Sequence, residues 1–480
     1  MGAREGAGGE ILVAERQAYD LTIIGSGPGG YVAAIRAAQL GLRTAIVEKS
    51  PALGGTCLHV GCIPTKALLY SAEVLEVARE AARFGVKTGD VSLDLAGAHK
   101  HKSDVVRRLA RGVEGLMKKN GVTVVRGHGR LKGRGVVEVT KTGGETQSIQ
   151  TGSVILATGS TPKMLPQLKV DGRRVLTSTE ALALEFVPKN LLILGAGAVG
   201  AEFASIYRTF GSAVTLVEML PCVLPVEDEE VSAEVRKAFK KRGIDVRTST
   251  RVDDVKIGAR GAELQVRNEK GSKETLKADV LLVAVGRSPA SADLGLQGTR
   301  VELDRGTVRV DERMRTGEDW VYAIGDLLPT QQLAHVASHE GIVAVEAIAG
   351  RNPRPIDYTR MPGATYCDPE VASIGLTEKE ARARGHKVRT GRFPFAAVGK
   401  ASISGATEGF VKIVGAEKYD ELLGIHIVGP KATELIAEAS VALRLESTVE
   451  ELFHAIHAHP TLSEAMGEAA LNLHSRGIHF

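Results

Sequence analysis

The sequence predicts an α/β protein with two Rossmann-like dinucleotide-binding domains. Three observations support this fold class. The chain has 480 residues, more than one hydrophobic core usually organises, so several domains are expected. A pattern of strand, glycine-rich turn, helix and strand occurs twice along the chain. Glycine is abundant, with 55 residues, as expected where many tight turns join strands to helices.

The composition is typical of a globular protein that folds in water. Hydrophobic residues make up 43% and charged residues 25%. The net charge is +4, and residues of both signs are interleaved along the chain without long blocks of one sign. This pattern gives little support for nucleic-acid or membrane binding. No apolar run approaches the roughly 18–20 residues that span a bilayer. Met1 to Glu15 lacks the apolar core of a secretion signal, so we interpret it as a frayed extension and expect a cytoplasmic protein.

The first repeat of the pattern runs from Asp20 to Glu48, with Gly25, Gly27 and Gly30 in its turn. In such a unit the first glycine makes the tight turn, the second lets backbone N–H groups approach a pyrophosphate, and the third packs helix on strand. The N-terminus of the helix favours the anion. The acid that ends the second strand can accept hydrogen bonds from an adenosine ribose.

The second repeat runs from Asn190 to Glu218, with Gly195, Gly197 and Gly200 in its turn. The acid follows the first glycine by 23 residues in both repeats. One copy alone would be a weak signal, since a glycine-rich turn without a ligand is a common alternative. Two copies in the required context predict two bound nucleotides. Glu218 favours NAD over NADP, because its carboxylate would repel a 2′-phosphate.

Cys57 and Cys62 follow directly after the first repeat, ahead of a helix-patterned run from Ala67 to Ala82. A disulfide closing so short a loop would stabilise the fold only weakly. A helix N-terminus and the nearby Lys66 favour the thiolate form, as thiol exchange requires. The pair is therefore predicted to be redox-active. A zinc site is the weaker alternative, because no further ligands follow at short spacing, and we expect no metal.

These segments resemble the flavin-dependent pyridine-nucleotide disulfide oxidoreductases over nearly the whole chain. Residues 54–69 are similar to the redox-disulfide segment of that family, 25–48 to its FAD unit and 195–218 to its NAD unit. His457 to Glu464 resembles its acid–base motif. Within the family, the likeness is greatest to members that oxidise dihydrolipoyl groups with NAD. The resemblance implies FAD and NAD as cofactors.

The resemblance also implies an order of domains that ends in a C-terminal α+β dimerisation domain. The expected segments are an FAD-binding domain with the redox disulfide (1–160), an NAD-binding domain (161–288), a central segment completing the FAD site (289–355) and an interface domain (356–480).

Roles at the reacting centre are carried over from the family. Cys57 is the thiol expected to exchange with substrate, and Cys62 is the thiol expected to face the flavin. Lys66 and Glu202 resemble the family's ion pair beside the reactive nitrogen of the flavin. His59 departs from the pattern, in which Asn is expected, and a second imidazole could alter the pKa of the thiols.

His459 is the expected acid–base group. The spacing from His459 to Glu464 matches the family motif, and a carboxylate on one ring nitrogen would fix the tautomer and stabilise the imidazolium. His457 is the less favoured candidate. Further positions are expected to contact the cofactors: Gly129, Thr158, Gly159, Ser160, Asp326 and Ala334 for FAD, and Val252 and Gly286 for NAD.

Other activities share this fold and disulfide. Reduction of glutathione disulfide would ordinarily call for NADP and a cation where Glu218 stands, and reduction of mercuric ion would call for a C-terminal cysteine pair, which Ser475 to Phe480 lacks. An idle flavoprotein scaffold would have lost Cys57, Cys62 or His459. The expected partners are lipoyl groups on carrier domains of a 2-oxo-acid dehydrogenase or glycine-cleavage complex, and a second copy of the chain in a homodimer.

Overall fold

The computed structural model describes residues 18–259 and 261–480. The predicted N-terminal extension, Met1 to Glu15, lies outside the described residues. Within the described ranges, no helix combines the length and the apolar character needed to cross a membrane. The described residues divide into two compact units, one made of 18–55, 110–159 and 289–356, the other of 56–109, 160–259, 261–288 and 357–480.

Most of the strands are short. They are β1 (Ala18–Ile24), β2 (Thr44–Glu48), β3 (Thr123–Arg126), β4 (His128–Gly133), β5 (Val136–Thr140), β6 (Thr146–Leu156), β7 (Ser160–Pro162), β8 (Val175–Leu176), β9 (Asn190–Leu194), β10 (Ala213–Val217), β11 (Asp245–Arg247), β12 (Thr250–Gly258), β13 (Gly261–Asn268), β14 (Lys273–Ala278), β15 (Val280–Val283), β16 (Arg287–Pro289), β17 (Leu303–Asp304), β18 (Thr307–Val308), β19 (Val321–Ala323), β20 (Gly363–Thr365), β21 (Glu370–Gly375), β22 (Val388–Pro394), β23 (Phe410–Ala416) and β24 (Leu422–Gly429).

The helices range from one turn to seven turns. They are α1 (Pro28–Gln39), α2 (Gly55–Val60), α3 (Cys62–Arg79), α4 (Leu95–Lys119), α5 (Ser178–Ala181), α6 (Ala198–Phe210), α7 (Glu229–Lys241), α8 (Ala334–Ile348), α9 (Glu378–Ala383), α10 (Gly399–Ser404), α11 (Ala432–Arg444), α12 (Val449–His454) and α13 (Glu464–Leu473).

The first unit is built on a seven-stranded sheet of order β3-β2-β1-β6-β5-β4, with β19 also paired to β6. β1, β2, β3, β6 and β19 pair in parallel, whereas β4 and β5 are antiparallel additions. Helix α1 connects β1 to β2 and packs on α8. Its buried positions are small residues, glycine and alanine, which allow this close approach. Because β1, β6 and β19 are parallel, their carboxyl ends lie at the same edge of the sheet.

The second unit contains the second parallel sheet, of order β11-β10-β9-β15-β8, with α6 connecting β9 to β10. It also contains an antiparallel sheet of order β20-β21-β24-β23-β22. Every residue of β23 and β24 is buried, because α11, α12 and α13 contribute to the core around this sheet. Two parallel nucleotide-type sheets and a C-terminal α+β part confirm the predicted fold class.

Candidate active site

The turn after β1 forms a cradle lined by backbone. Gly25 has φ +105°, and a Cβ at this position would overlap the carbonyl oxygen of Ala157, so only glycine fits. A Cβ on Gly30 would overlap the carbonyl oxygen of Gly25. A Cβ on Gly27, in contrast, would meet nothing within 4 Å. Open space therefore lies in front of the N-terminus of α1, where an anionic group is favoured.

Glu48 is buried at the end of β2 and holds this turn in place. Its Oε2 accepts hydrogen bonds from Ser26 N at 2.9 Å and Ser26 Oγ at 2.6 Å, and its Oε1 accepts one from Ser50 N at 2.7 Å. The sequence motif did not identify Ser26 as a partner. Each carboxylate oxygen can accept more than one hydrogen bond, so Glu48 can hold the turn and a ribose together.

The second glycine-rich turn repeats this geometry. Gly195 has φ +97°, and a Cβ on Gly197 would again meet nothing within 4 Å. A Cβ on the third glycine would overlap the carbonyl oxygen of the first, as in the first turn. Glu218 Oε2 accepts a hydrogen bond from Ala196 N at 2.7 Å, and its Oε1 accepts one from Leu220 N at 2.8 Å. Both turns are therefore shaped for a nucleotide in the same way.

The other positions expected at FAD in the first unit lie after strands, at the start of a helix or within a strand. Thr158 and Gly159 follow β6, and Gly159 has φ +70°. Asp326 lies in the turn after β19, and Ala334 is the first residue of α8. Gly129 lies in β4. Because β6 pairs in parallel with β1 and β19, the segments after these three strands lie at the edge where ligands of parallel sheets bind.

Glu340, which the sequence patterns did not single out, organises the turn that carries Asp326. Its carboxylate is fully buried in α8 and accepts hydrogen bonds from Gly325 N at 2.6 Å and Thr330 Oγ1 at 2.9 Å. A lone Glu in a helical pattern carries no such signal. Its role becomes visible only once the fold brings it beside the turn.

In the second unit, Ser160 is bound by a neighbouring guanidinium. Arg287 Nε donates to Ser160 Oγ at 2.6 Å, and Arg287 Nη2 donates to the Ser160 carbonyl oxygen at 2.7 Å. Gly286 follows β15 with φ +108°, and Val252 lies on β12. Their assignment to the cofactors stays a prediction.

Cys57 and Cys62 lie on consecutive helices. Cys57 is in α2 and Cys62 begins α3, whereas the sequence pattern had placed the start of that helix at Ala67. Pro64 is compatible with this earlier start, because it lies in the first turn of α3, where proline has no helical hydrogen bond to break. The two thiols are hydrogen bonded to each other, and His59 lies between them on α2.

The two thiols differ in acidity. The pKa of Cys62 is lowered to about 7, chiefly because the Cys57 thiol donates a hydrogen bond to its sulfur and also because the Lys66 ammonium attracts the thiolate, which together outweigh burial. The hydrogen bond to Cys62 and then burial raise the pKa of Cys57. Near neutral pH, the reduced pair therefore carries its negative charge on Cys62.

Lys66 is held by a buried carboxylate on α6. Its Nζ donates to Glu202 Oε1 at 2.7 Å and Oε2 at 2.9 Å. Glu202 also accepts a hydrogen bond from Tyr366 N at 3.0 Å, and the Lys66 ammonium lies 4.6 Å from the centre of the Tyr366 ring. Burial lowers the pKa of Lys66, but the attraction of Glu202 outweighs it, so the net pKa is raised and the cation is secure.

We expect the substitution Lys66→Met to raise the pKa of Cys62 from about 7 toward the ordinary thiol value of about 8.5, because the cation that favours the thiolate is lost. The measurement is the rate of Cys62 alkylation against pH in the reduced protein, read by mass spectrometry. Lys431→Met is the matched control, since Lys431 also pairs with a carboxylate, Glu73. An unchanged profile in Lys66→Met would contradict this explanation.

His459 and Glu464 form the predicted pair at the start of α13. His459 Nδ1 and Glu464 Oε1 are 2.8 Å apart, and Glu464 Oε2 accepts a hydrogen bond from Thr461 N at 2.8 Å. Burial opposes ionisation of Glu464, but these contacts prevail and its pKa is lowered. The imidazole is 78% exposed in the single chain, so most of the ring is accessible to a reactant.

His457 is also bound to a carboxylate, which the sequence had not indicated. Its Nε2 lies 2.7 Å from Glu438 Oε1, and this hydrogen bond raises the pKa of His457 despite its partial burial. Its side chain is only 13% exposed, compared with 78% for His459. His459 is therefore the more accessible of the two imidazoles, and its role as the acid–base group stays a prediction.

Comparison with known proteins identifies the family of the chain. Residues 19–341 match the pyridine nucleotide-disulphide oxidoreductase family, and residues 361–470 match the dimerisation domain of that family. The chain is 48% identical to dihydrolipoyl dehydrogenase of Bacillus subtilis over 471 residues, covering 96% of this chain and 99% of that protein. It is 46% identical to dihydrolipoyl dehydrogenase of Chlorobaculum tepidum, covering 95% and 97% of the two chains.

A solved structure has the same fold. LpdA of Mycobacterium tuberculosis superposes with a TM-score of 0.88 at 28% identity, covering 95% of this chain and 99% of that chain. The repeated nucleotide turns and the thiol pair lie within the matched residues 19–341, and the C-terminal antiparallel sheet lies within 361–470. The chain belongs to the pyridine nucleotide-disulphide oxidoreductase family, and it carries the dimerisation domain of that family.

Proposed function

We propose that this protein is a dihydrolipoyl dehydrogenase, which oxidises dihydrolipoyl groups to the disulfide with NAD, using FAD and the Cys57–Cys62 pair. The observation that carries the proposal is the polarised thiol pair beside the Lys66–Glu202 ion pair. It occurs in a chain with two nucleotide turns, and relatives of that name match it over nearly their whole length.

The residues present fit both cofactors. Gly25, Gly27 and Glu48 would hold the diphosphate and ribose of FAD, and Gly197 and Glu218 would hold the corresponding parts of NAD. The fit rests on the open space over Gly27 and Gly197 and on the buried carboxylates fixed beside each turn. Bound FAD supplies the transfer of an electron pair from thiols to the nicotinamide as hydride, chemistry that amino-acid side chains lack.

Thiol–disulfide exchange is the part of the reaction that the chain performs with its own residues. His459 takes the proton of one substrate thiol, and the resulting thiolate attacks Sγ of Cys57, forming a mixed disulfide while the Cys57–Cys62 bond breaks. The leaving sulfur is Cys62, whose lowered pKa makes it the better leaving thiolate. The second substrate thiol then displaces Cys57. The substrate has become a disulfide, and the cysteine pair holds its two electrons.

The proposal includes an assembly. The dimerisation domain supports a homodimer, in which residues 356–480 would form the interface. The substrates would be dihydrolipoyl groups, as in the names of the relatives. The family resemblance places these groups on the carrier domains of a 2-oxo-acid dehydrogenase or glycine-cleavage complex.

A substrate panel tests the function. The purified yellow protein should oxidise dihydrolipoamide with NAD, and NADP, glutathione disulfide and mercuric ion should be poor alternatives. Steady-state rates with each pair of substrates are the measurement, and Cys57→Ser is the control for reaction at the disulfide. Faster turnover of NADPH with glutathione disulfide would contradict the assignment.

We expect Glu218→Arg to weaken NAD binding by roughly tenfold and to improve the use of NADP. The substitution removes a charged acceptor from the ribose and introduces a cation suited to the 2′-phosphate. The substitution also removes the carboxylate that accepts hydrogen bonds from Ala196 N and Leu220 N. NAD binding should therefore fall even if NADP binding does not improve. The measurement is KM for both nucleotides, with Glu263→Arg on β13 as the control. Unchanged KM values for both nucleotides would show that Glu218 does not contact the ribose.

A further inference from the structure

Three metal-ligating side chains without a role in the proposed reaction converge in the C-terminal part of the chain. Asp420 lies in the turn between β23 and β24, Glu450 lies on α12, and His474 follows the last residue of α13. One ligand atom of each lies within 4.8 Å of the other two. The fold has therefore brought one imidazole and two carboxylates from three separate segments to one point.

The spacing of these atoms matches a small tetrahedral cation. His474 Nε2 is 3.1 Å from Asp420 Oδ1 and 3.7 Å from Glu450 Oε2. Zinc binds imidazole nitrogen and carboxylate oxygen at about 2.0–2.2 Å, so a tetrahedral site separates its ligand atoms by about 3.3–3.5 Å. These two distances bracket that value, and the third separation, between the Asp420 and Glu450 oxygens, is within 4.8 Å.

His474 Nε2 lies within ion-pair distance of both carboxylates but is hydrogen bonded to neither. This nitrogen is buried and makes no hydrogen bond of acceptable geometry within the described part of the chain. A buried polar atom without a hydrogen bond is unfavourable and calls for an explanation. A cation bound to the lone pair of this nitrogen would satisfy it and would also reduce the repulsion between the carboxylates of Asp420 and Glu450.

Neighbouring groups orient the two carboxylates. Glu450 N donates to Asp420 Oδ2 at 2.8 Å, which leaves Oδ1 directed at the imidazole. Arg476 Nη2 donates to Glu450 Oε2 at 2.7 Å, and this oxygen keeps a second lone pair for a metal. His454 Nε2 lies 3.3 Å from Glu450 Oε1. The two carboxylates and the Arg476 guanidinium together carry one net negative charge, which attracts a divalent cation.

We propose that Asp420, Glu450 and His474 form a Zn²⁺ site, with water completing the coordination. An imidazole ligand favours zinc and its transition-metal neighbours over Ca²⁺ and Mg²⁺, which prefer oxygen ligands. The bound ion ties the β23–β24 turn to α12 and to the segment after α13. A ligand that binds only the folded chain raises its stability, so zinc should protect this part of the protein against unfolding.

The test is a zinc titration of the FAD-loaded protein in competition with a chromophoric chelator. The protein is kept oxidised, so that Cys57 and Cys62 are paired and do not bind the metal. We expect one zinc per chain, and affinity at least about tenfold weaker in both His474→Ala and Asp420→Asn. His479→Ala is the matched control, because His479 is likewise paired with a carboxylate, Glu468, at 2.7 Å and should leave affinity unchanged.

Two further measurements keep the proposal falsifiable. Zinc should raise the unfolding temperature of the parent chain and of His479→Ala but not of the two site variants, and circular dichroism without metal establishes that each variant is folded. If His474→Ala fails to fold, the nearly isosteric Asp420→Asn decides. Crystals soaked in zinc should show an anomalous peak between the three side chains. Equal zinc affinity in the parent and in folded Asp420→Asn would overturn the site.

Discussion

Replacing His459 by Gln is expected to lower kcat for dihydrolipoamide oxidation by about 10²- to 10⁴-fold, the usual contribution of a positioned general base. The substrate thiol must lose its proton before its sulfur can attack Cys57. Glu464, 2.8 Å from Nδ1, is expected to fix the ring and to stabilise the imidazolium that results. The measurement is kcat across pH, because the loss should be smaller at high pH, where the substrate thiol ionises without help.

His457→Gln is the matched control for this prediction. His457 is an imidazole two residues away that also pairs with a carboxylate, but its side chain is mostly buried. We expect it to alter stability more than turnover. Glu464→Gln should lie between the two, since it leaves the base in place but removes its orienting charge. If His457→Gln lost as much activity as His459→Gln, the assignment of the base would be wrong.

Short-range patterns predicted the parts of the site that lie within a few dozen residues of each other. The glycine spacing identified both turns, and the acids at Glu48 and Glu218 proved to be fixed against them in the same way. The Cys57–Cys62 spacing likewise predicted contacting sulfurs. Such features are readable because a strand, a turn and a helix place their residues by local geometry alone.

Contacts between segments far apart in the sequence could not be predicted from local patterns. Glu202 lies 136 residues from Lys66 and was expected only from the family resemblance. Tyr366, which contacts both, had no signal in the sequence. The same holds for Glu340, whose buried carboxylate supports the turn at Asp326. Each of these contacts depends on the tertiary fold, which brings residues distant in the sequence together.

The unequal thiols link the local prediction to the chemistry. Spacing alone makes Cys57 and Cys62 equivalent members of a pair. The structure distinguishes them, because Cys62 begins a helix and receives both the hydrogen bond of Cys57 and the field of Lys66. A low pKa favours departure over attack. Cys62 is therefore suited to leave, and Cys57 is suited to be attacked.

Mixed dimers of two inactive variants are expected to regain activity. One chain carries Cys57→Ser and the other His459→Gln, and each alone should be nearly inactive. If the homodimer pairs the thiols of one chain with the imidazole of the other, a mixed dimer has one site in which both groups are intact. The 78% exposure of His459 in the single chain supports this arrangement, since the ring is open to a second copy. Two-fold symmetry then gives two equivalent composite sites in the parent dimer.

Co-expression of the two variants with different affinity tags, followed by purification on both tags, isolates the mixed dimer. Its activity per dimer should be about half that of the parent, because one of two sites is complete. Dimers that carry the same substitution in both chains, purified with the same pair of tags, are the control for residual activity. If each chain instead uses its own His459 on its own Cys57, every site in the mixed dimer lacks a reacting group. Its activity would then stay at the level of the separate variants, and the shared site would be refuted.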